Sequence, residues 1–191
     1  MFYNFIHKVA WLIVKIWWSL KVRGKENIPD EGPVIIVSNH QSNLDPVAIA
    51  LQTKRHIHFL AKQELAQTKI TAWFFRHLLI IPVDRKKVSP KTVKECLRVL
   101  KDGEVLGIYP EGTRVKGERI RPMNGFVMFA IRTQAKIVPV HVQGSGMSFR
   151  SKVNMVIGEP FELSEYYGQR LKPEKLDEIS QNIMDNIYNL K

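Results

Sequence analysis

Short apolar runs alternate with longer amphipathic stretches along most of this chain, and this alternation is what most limits how it can fold. Runs rich in Val and Ile have the length and composition of strands, and stretches with apolar residues at helical spacing have those of helices. Strands alternating with helices predict a single α/β domain with a largely parallel or mixed central sheet flanked by helices. The predicted strands are residues 34–37, 56–61, 79–83, 104–109, 137–142 and 153–157, and the predicted helices are residues 45–52, 63–78, 89–103, 125–134 and 173–190.

The segment 1–23 differs from the rest and is expected to precede a domain formed by residues 24–191. It combines three tryptophans and many aliphatic residues with Lys8 and Lys15. The lysines interrupt the apolar run, which stays short of the roughly 18 residues of a spanning helix. The pattern predicts an amphipathic helix lying in a membrane interface, with its lysines toward anionic headgroups. The alternative is a core helix packed on the domain.

The charge balance indicates an anionic partner. Lys and Arg number 29 against 18 acidic residues, which gives a formal net charge of +11. Nucleic acid, an anionic membrane and phosphorylated ligands all fit such an excess. The chain has no helix-turn-helix, RNA-binding or zinc signature, so nucleic acid is not the expected partner. The single cysteine, Cys96, excludes an intrachain disulfide, and no Cys/His cluster has the spacing of a metal site.

Polar residues follow four of the predicted strands. They are residues 39–45, Lys62, residues 84–85 and residues 111–114. Ligands of open α/β sheets bind beyond the carboxyl ends of the strands, so these residues are expected to share one site.

His40 and Asp45 are the first candidates for chemistry. A histidine can accept a proton near neutral pH, and a nearby carboxylate can orient its ring and stabilise its charged form. The alternative is a loop histidine beside an aspartate that caps the following helix.

A second candidate is the block Tyr109-Pro110-Glu111-Gly112-Thr113-Arg114. Its glycine permits close backbone approach, and Arg114 can hold a phosphate with two hydrogen bonds. Its alternative is an ordinary glycine turn with a surface arginine.

Taken together and in this order, the motifs resemble the PlsC-type glycerolipid acyltransferases. The resemblance covers about residues 20–160 and is far more specific than any single motif. It rests on Asn39-His40-Gln41-Ser42-Asn43-Leu44-Asp45, Ala61-Lys62-Gln63-Glu64-Leu65, Ile80-Ile81-Pro82-Val83-Asp84-Arg85, Pro110-Glu111-Gly112-Thr113-Arg114 and Ile137-Val138-Pro139-Val140.

The resemblance implies transfer of a fatty acyl group from a thioester to the sn-2 hydroxyl of 1-acylglycerol 3-phosphate, which gives phosphatidic acid. His40 would be the general base and Asp45 would orient it. The acceptor's own hydroxyl would attack, so no acyl-enzyme is expected and Cys96 is assigned to the core. The thioester is already activated, so no metal and no cofactor are expected beyond the acyl carrier protein or coenzyme A that carries the acyl group.

Substrate binding is expected from the basic residues and the glycine turn. Arg114 is the first choice for the acceptor's phosphate, Arg85 the second, and Lys62 a supplement. Backbone N–H groups at Gly112 would approach the phosphate or a developing oxyanion, and Glu111 would bind the acceptor or brace Arg114. Asn39 would shape the turn. The predicted substrate-binding set is Lys62, Arg85, Glu111, Gly112, Thr113 and Arg114.

The expected location is the cytoplasmic face of an inner membrane, with the protein bound to an anionic surface. Two alternatives remain at this point: an acyltransferase of the same family that acts on another lysolipid, and a non-catalytic basic module that binds membranes. The sequence gives no oligomeric state.

Overall fold

The computed structural model describes residues 6, 9, 11, 12, 14, 18–85, 87–115, 117–144 and 151–191. Within them, seven strands form one sheet in the order β1-β7-β6-β2-β5-β3-β4. The strands are β1 (Trp18–Arg23), β2 (Val34–Ser38), β3 (Ile57–Lys62), β4 (Ile81–Val83), β5 (Val105–Ile108), β6 (Lys136–Gln143) and β7 (Ser151–Ile157). The helices are α1 (Asp45–Ala50), α2 (Lys69–His77), α3 (Pro90–Lys101), α4 (Gly125–Thr133) and α5 (Pro173–Asn189).

The sheet is mixed, and the predicted α/β class is confirmed. Strands β6, β2, β5, β3 and β4 are parallel neighbours. Strand β7 is antiparallel to β6, and β1 is parallel to β7, so these two strands run the opposite way. The carboxyl ends of the five parallel strands therefore meet at one edge of the sheet, which is where the polar motifs follow in the sequence.

Two hydrophobic layers cover the two faces of the sheet. Alternate residues of β2 point to opposite sides, as the period of a strand requires. Ile35 and Val37 join α3, α4 and α5 in one core cluster. Val34 and Ile36 join α1 in the other cluster, which also includes Val14.

Strand β1 was not expected. Residues 18–23 were predicted as the end of a helix, but they form a strand paired with β7. The physical reason is a local alternation with a period of two, in which Leu20 and Val22 pack on the second cluster while Ser19, Lys21 and Arg23 are exposed.

Only part of the predicted N-terminal helix can be compared with the structure. Ile6, Val9, Trp11, Leu12 and Val14 are helical. Val14 is buried, whereas Val9, Trp11 and Leu12 are exposed. The polar side of this helix was predicted at residues 4, 8, 15 and 19. The first three lie outside the described residues, and Ser19 lies in strand β1 instead of a helix. Among the residues that the structure describes, no helix has both the length and the apolar character needed to span a membrane.

The two strand prolines are accommodated differently. Pro82 lies in β4, at the end of the sheet, where a missing N–H is tolerated. Pro139 lies in β6, which has neighbours on both sides. Its position coincides with a break in the β6–β7 ladder, where Gly158 N–H donates to Pro139 C=O and Ile137 bridges to Phe161, so the missing N–H interrupts no regular pair.

Candidate active site

A cleft of about 1150 Å³ opens at the carboxyl edge of the parallel strands. It brings together polar groups from four separate strand ends, as the sequence predicted. Its interior is mostly apolar, with Phe75 and Leu78 among its walls. The predicted site residues that line it are His40, Lys62, Arg85, Gly112, Thr113 and Arg114.

His40 and Asp45 form a direct pair at this cleft. His40 Nδ1 lies 3.1 Å from Asp45 Oδ2. The same oxygen accepts from the N–H groups of Gln41 and Ser42, each at 2.7 Å. Asp45 is fully buried, and the His40 side chain keeps 13% of its surface exposed. With the Nδ1 proton directed at the carboxylate, Nε2 carries the lone pair of the neutral ring.

Asp45 is not the cap of helix α1, which was the alternative role for this residue. The N-cap position is held by Leu44, which makes no side-chain capping bond. The carboxylate turns back over the loop instead, because the N–H groups of Gln41 and Ser42 and the His40 ring supply its donors.

The loop that carries His40 is attached to two other strand ends. The Asn39 side chain is fully buried and pairs with the backbone of Val142 in β6, donating at 2.9 Å and accepting at 2.8 Å. His40 N–H donates to Glu111 Oε2 at 3.0 Å, and His40 C=O accepts from Val115 N–H at 2.9 Å. The backbone of His40 is therefore bonded on both sides to the segment that follows β5.

Tyr109 supports the His40 ring from its face, a role the sequence reasoning missed. The two rings stack with centroids 4.2 Å apart, and Phe59 also stacks with Tyr109, with centroids 6.1 Å apart. Burial, together with the charge of Asp45, raises the pKa of Tyr109 well above its ordinary value, so its ring stays neutral. The sequence signal was its position, directly after β5 and directly before the glycine turn.

The glycine turn lies beside the first of two arginines. Gly112 has a φ of +66°, which favours glycine, and a side chain there would press on Met123 and come within 3.8 Å of Arg85 Cδ. Its own N–H donates to Tyr109 C=O at 3.0 Å. The approach of backbone N–H groups at this turn to a phosphate or an oxyanion stays a prediction.

The basic residues stand at the rim of the cleft. Arg85 and Arg114 are exposed and line it. Lys62 also lines the cleft, and its ammonium is 3.2 Å from Glu64 Oε1. Exposed positive side chains at the rim favour binding of an anionic group that enters from solvent or from a membrane surface.

Glu111 lies in a different place from the one predicted. Its carboxylate is buried, accepts from His40 N–H and from the Tyr188 hydroxyl, and is absent from the cleft lining. Tyr188 belongs to α5, far along the chain, and no local pattern in the sequence pointed to it.

Two further side-chain types bear on the chemistry. Among the residues that the structure describes, no group of three or more His, Cys, Asp and Glu side chains is arranged to hold a metal ion. Cys96 is buried in the core, as predicted, and burial raises the pKa of its thiol to about 12.

Known acyltransferases are similar to this chain over most of its length. The sequence pattern of a family described as Acyltransferase matches residues 19–143. The 1-acyl-sn-glycerol-3-phosphate acyltransferase of Bacillus subtilis (strain 168) is 31% identical over 169 residues, which cover 86% of this chain and 84% of that protein. The protein of the same name from Streptococcus pneumoniae (strain ATCC BAA-255 / R6) is 28% identical over 205 residues, which cover 100% of this chain and 73% of that protein.

A solved structure has the same fold. The crystal structure of the 1-acyl-sn-glycerophosphate (LPA) acyltransferase, PlsC, from Thermotoga maritima superimposes with a TM-score of 0.75 at 25% identity. The match covers 98% of this chain and 78% of that one.

Proposed function

Because the chain belongs to the acyltransferase family, we propose that it transfers a fatty acyl group from an acyl thioester to the sn-2 hydroxyl of 1-acylglycerol 3-phosphate, giving phosphatidic acid. The names of its relatives support this acceptor. The observation that carries the proposal is the His40–Asp45 pair on the wall of a largely apolar cleft with arginines at its rim.

His40 acts as the general base in this proposal. Nε2 of His40 takes the proton of the acceptor hydroxyl while the hydroxyl oxygen bonds to the carbonyl carbon of the thioester. The carbon–sulfur bond then breaks, and the departing thiolate receives the same proton from His40, so the ring returns to its starting state. Asp45 Oδ2 holds the tautomer and offsets the transient positive charge.

The attacking group belongs to the substrate, so the transfer is direct and no acyl-enzyme forms. The thioester is already activated, and the proposed reaction needs no metal and no cofactor. The thioester is carried by acyl carrier protein or by coenzyme A, both of which are anionic and suit the basic rim.

The acceptor's phosphate binds Arg114 and Arg85 at the rim, with Lys62 nearby. Guanidinium groups bind phosphate with two hydrogen bonds in a fixed geometry. The apolar interior receives acyl chain, and burial stabilises the complex by about 0.8 kcal/mol per CH₂.

The protein binds the cytoplasmic face of an inner membrane in this proposal. Exposed apolar side chains, which include Ile70 and Trp73 of α2, support a lipid-facing surface. Leu65 is exposed and also lines the cleft, so the cleft opens beside that surface. A lysolipid can then enter from the bilayer without crossing water.

The test is incubation of the purified protein with a panel of lysolipids and acyl thioesters, with the products identified by mass spectrometry. We expect phosphatidic acid from 1-acylglycerol 3-phosphate. The variant His40→Ala should lose roughly 100-fold or more of kcat, because general-base catalysis contributes about 10²–10⁴-fold.

The matched control is His56→Ala, because His56 is exposed and does not line the cleft. It should keep normal activity. Near-normal transfer by His40→Ala would remove the base from the proposal. Product from a different lysolipid alone would assign the same chemistry to another acceptor. Vesicle binding with no transfer to any acceptor would indicate a non-catalytic membrane module.

A further inference from the structure

The Glu111 carboxylate connects the catalytic loop to the C-terminal helix. Oε2 accepts from the backbone N–H of His40 at 3.0 Å, and Oε1 accepts from the hydroxyl of Tyr188 in α5. Glu111 is 6% exposed, and its two bonds reach half-buried partners. Removing a hydrogen-bond donor from a buried carboxylate raises the free energy of the folded state, and the remaining hydrogen bonds of the carboxylate rearrange.

Two neighbouring side chains contact the Tyr188 ring. The guanidinium of Arg119 lies 4.2 Å from its ring centroid and also pairs with Asp185 Oδ1 at 3.3 Å. His141 meets the ring edge-on at 5.6 Å, and its Nδ1 is 3.0 Å from the carbonyl of Leu190. The hydroxyl is thus aimed at Glu111 by contacts that do not depend on Glu111.

One face of α5 also contacts residues 119–124, which follow β5. Asp177, two turns before Asp185, binds Arg121 at 2.6 Å and Asn124 at 2.7 Å, and Ser180 Oγ donates to Met123 C=O. Helix α5 therefore contacts the segment that bonds to His40 at several points. Asp177 lines the cleft, whereas Tyr188 does not.

We propose that Tyr188 is a positioning residue for the acyl transfer, which fixes the His40 backbone through Glu111; this inference rests on the proposed function. The family match ends at residue 143, so this contribution comes from a part of the chain beyond it. Burial and the bond to Glu111 raise the pKa of Tyr188, so the hydroxyl keeps its proton and remains a donor at working pH.

The experiment is Tyr188→Phe, which keeps the ring between Arg119 and His141 and removes only the hydroxyl. We expect kcat to fall roughly tenfold, because small displacements of a reacting group cost up to about 100-fold. KM for both substrates should stay within about twofold, since a group that acts only on the transition state lowers kcat and kcat/KM alike. Hydrogen exchange at His40 N–H, followed by NMR, should become faster.

The matched control is Tyr167→Phe, which removes a solvent-exposed tyrosine–glutamate hydrogen bond of 3.3 Å to Glu162 and leaves the half-buried ring in place. It should leave kcat and His40 exchange unchanged. In a double-mutant cycle, Tyr188→Phe should add no further loss of kcat to Glu111→Ala, because both act along one path.

The outcomes separate this inference from the proposed function. An active wild type with full kcat in Tyr188→Phe overturns the positioning role, and so does a variant that only melts at lower temperature. A wild type that transfers to no acceptor overturns the proposed function instead. In that case hydrogen exchange at the His40 N–H still tests the positioning role. An exchange rate in Tyr188→Phe equal to that of the wild type overturns it.

Discussion

A single oxygen of Asp45 holds both the shape of the His40 loop and the orientation of the His40 ring. Oδ2 accepts from the ring and from two consecutive backbone N–H groups. Hydrogen bonds to a charged group contribute about 1.5–3 kcal/mol each. The oxygen that orients the histidine ring is therefore the same oxygen that closes its loop.

Arg114 is expected to determine affinity for the acceptor. Arg114→Ala should raise KM for 1-acylglycerol 3-phosphate roughly ten- to hundredfold, because a charge-assisted hydrogen bond contributes about 1.5–3 kcal/mol. Steady-state kinetics with varied acceptor measures this change. Arg170→Ala, at an exposed position outside the cleft lining, is the control and should change nothing. An unchanged KM with a lower kcat would show that Arg114 does not hold the phosphate in the ground state.

The Cys96 thiol is expected to be unreactive toward thiol reagents in the folded protein. Its thiol pKa is raised by burial from 9.0 to about 12, so the reactive thiolate is scarce at pH 8. Thiol reagents should label the native protein only when it unfolds, and activity should survive them. Rapid native labelling with loss of activity would contradict this.

The raised pKa of Cys96 also predicts how the free energy of unfolding changes with pH. Between pH 9 and 12 the unfolded thiol loses its proton while the folded one keeps it, so the free energy of unfolding falls as pH rises. Cys96→Ala should lack this part of the pH dependence in denaturation curves recorded at several pH values. Identical slopes for both proteins would contradict the shift.

At the scale of elements, the polar residues at strand ends were predictable and their long-range partners were not. His40, Arg85 and Arg114 each follow an apolar run, so parallel strands had to bring them to one edge. Tyr188 reaches Glu111 across 77 positions, and nothing local in α5 marks it. Strand β1 was missed because a short period-two pattern adjoins an aromatic helix, and its pairing with β7 is visible only in three dimensions.

Gly107 in β5 is expected to be intolerant of a side chain. The Phe59 ring of β3 covers it, and an added methyl would overlap that ring. Gly107→Ala should lower the free energy of unfolding by about 1–3 kcal/mol, as overpacked cores do. Because Phe59 supports Tyr109 and Tyr109 supports His40, kcat should fall too.

Urea denaturation and kinetics on the same samples measure both effects. The control is Gly117→Ala, where an added methyl meets no atom within 4 Å. Wild-type stability and activity in Gly107→Ala would show that the ring stack is not constrained by this strand.

At the scale of the whole molecule, exposed apolar groups gather beside the cleft mouth. Within α2 no side chain is buried, although Ile70, Trp73 and Phe74 are large and apolar. Lys69 and Arg76 flank them, a composition that suits an anionic lipid surface.

Ile70 is 70% exposed and is the sharpest probe of this surface. Ile70→Asp should weaken binding to vesicles that contain anionic lipid by roughly tenfold, because it removes apolar burial and adds a repelled charge. Vesicle co-sedimentation measures the binding. Ile120→Asp, at a site that is 42% exposed beside α5, should bind like the wild type. Equal binding by both variants would place the lipid contact elsewhere.

The bonds that fix the His40 loop also bear on how the chain acquires activity during folding. Asn39 bonds across 103 positions and His40 across 71, so neither contact forms until distant strands have met. Contacts with large sequence separation are slow to form. We therefore expect the loop to become ordered only after these strands have paired, so refolding should restore helical circular dichroism before it restores enzymatic turnover.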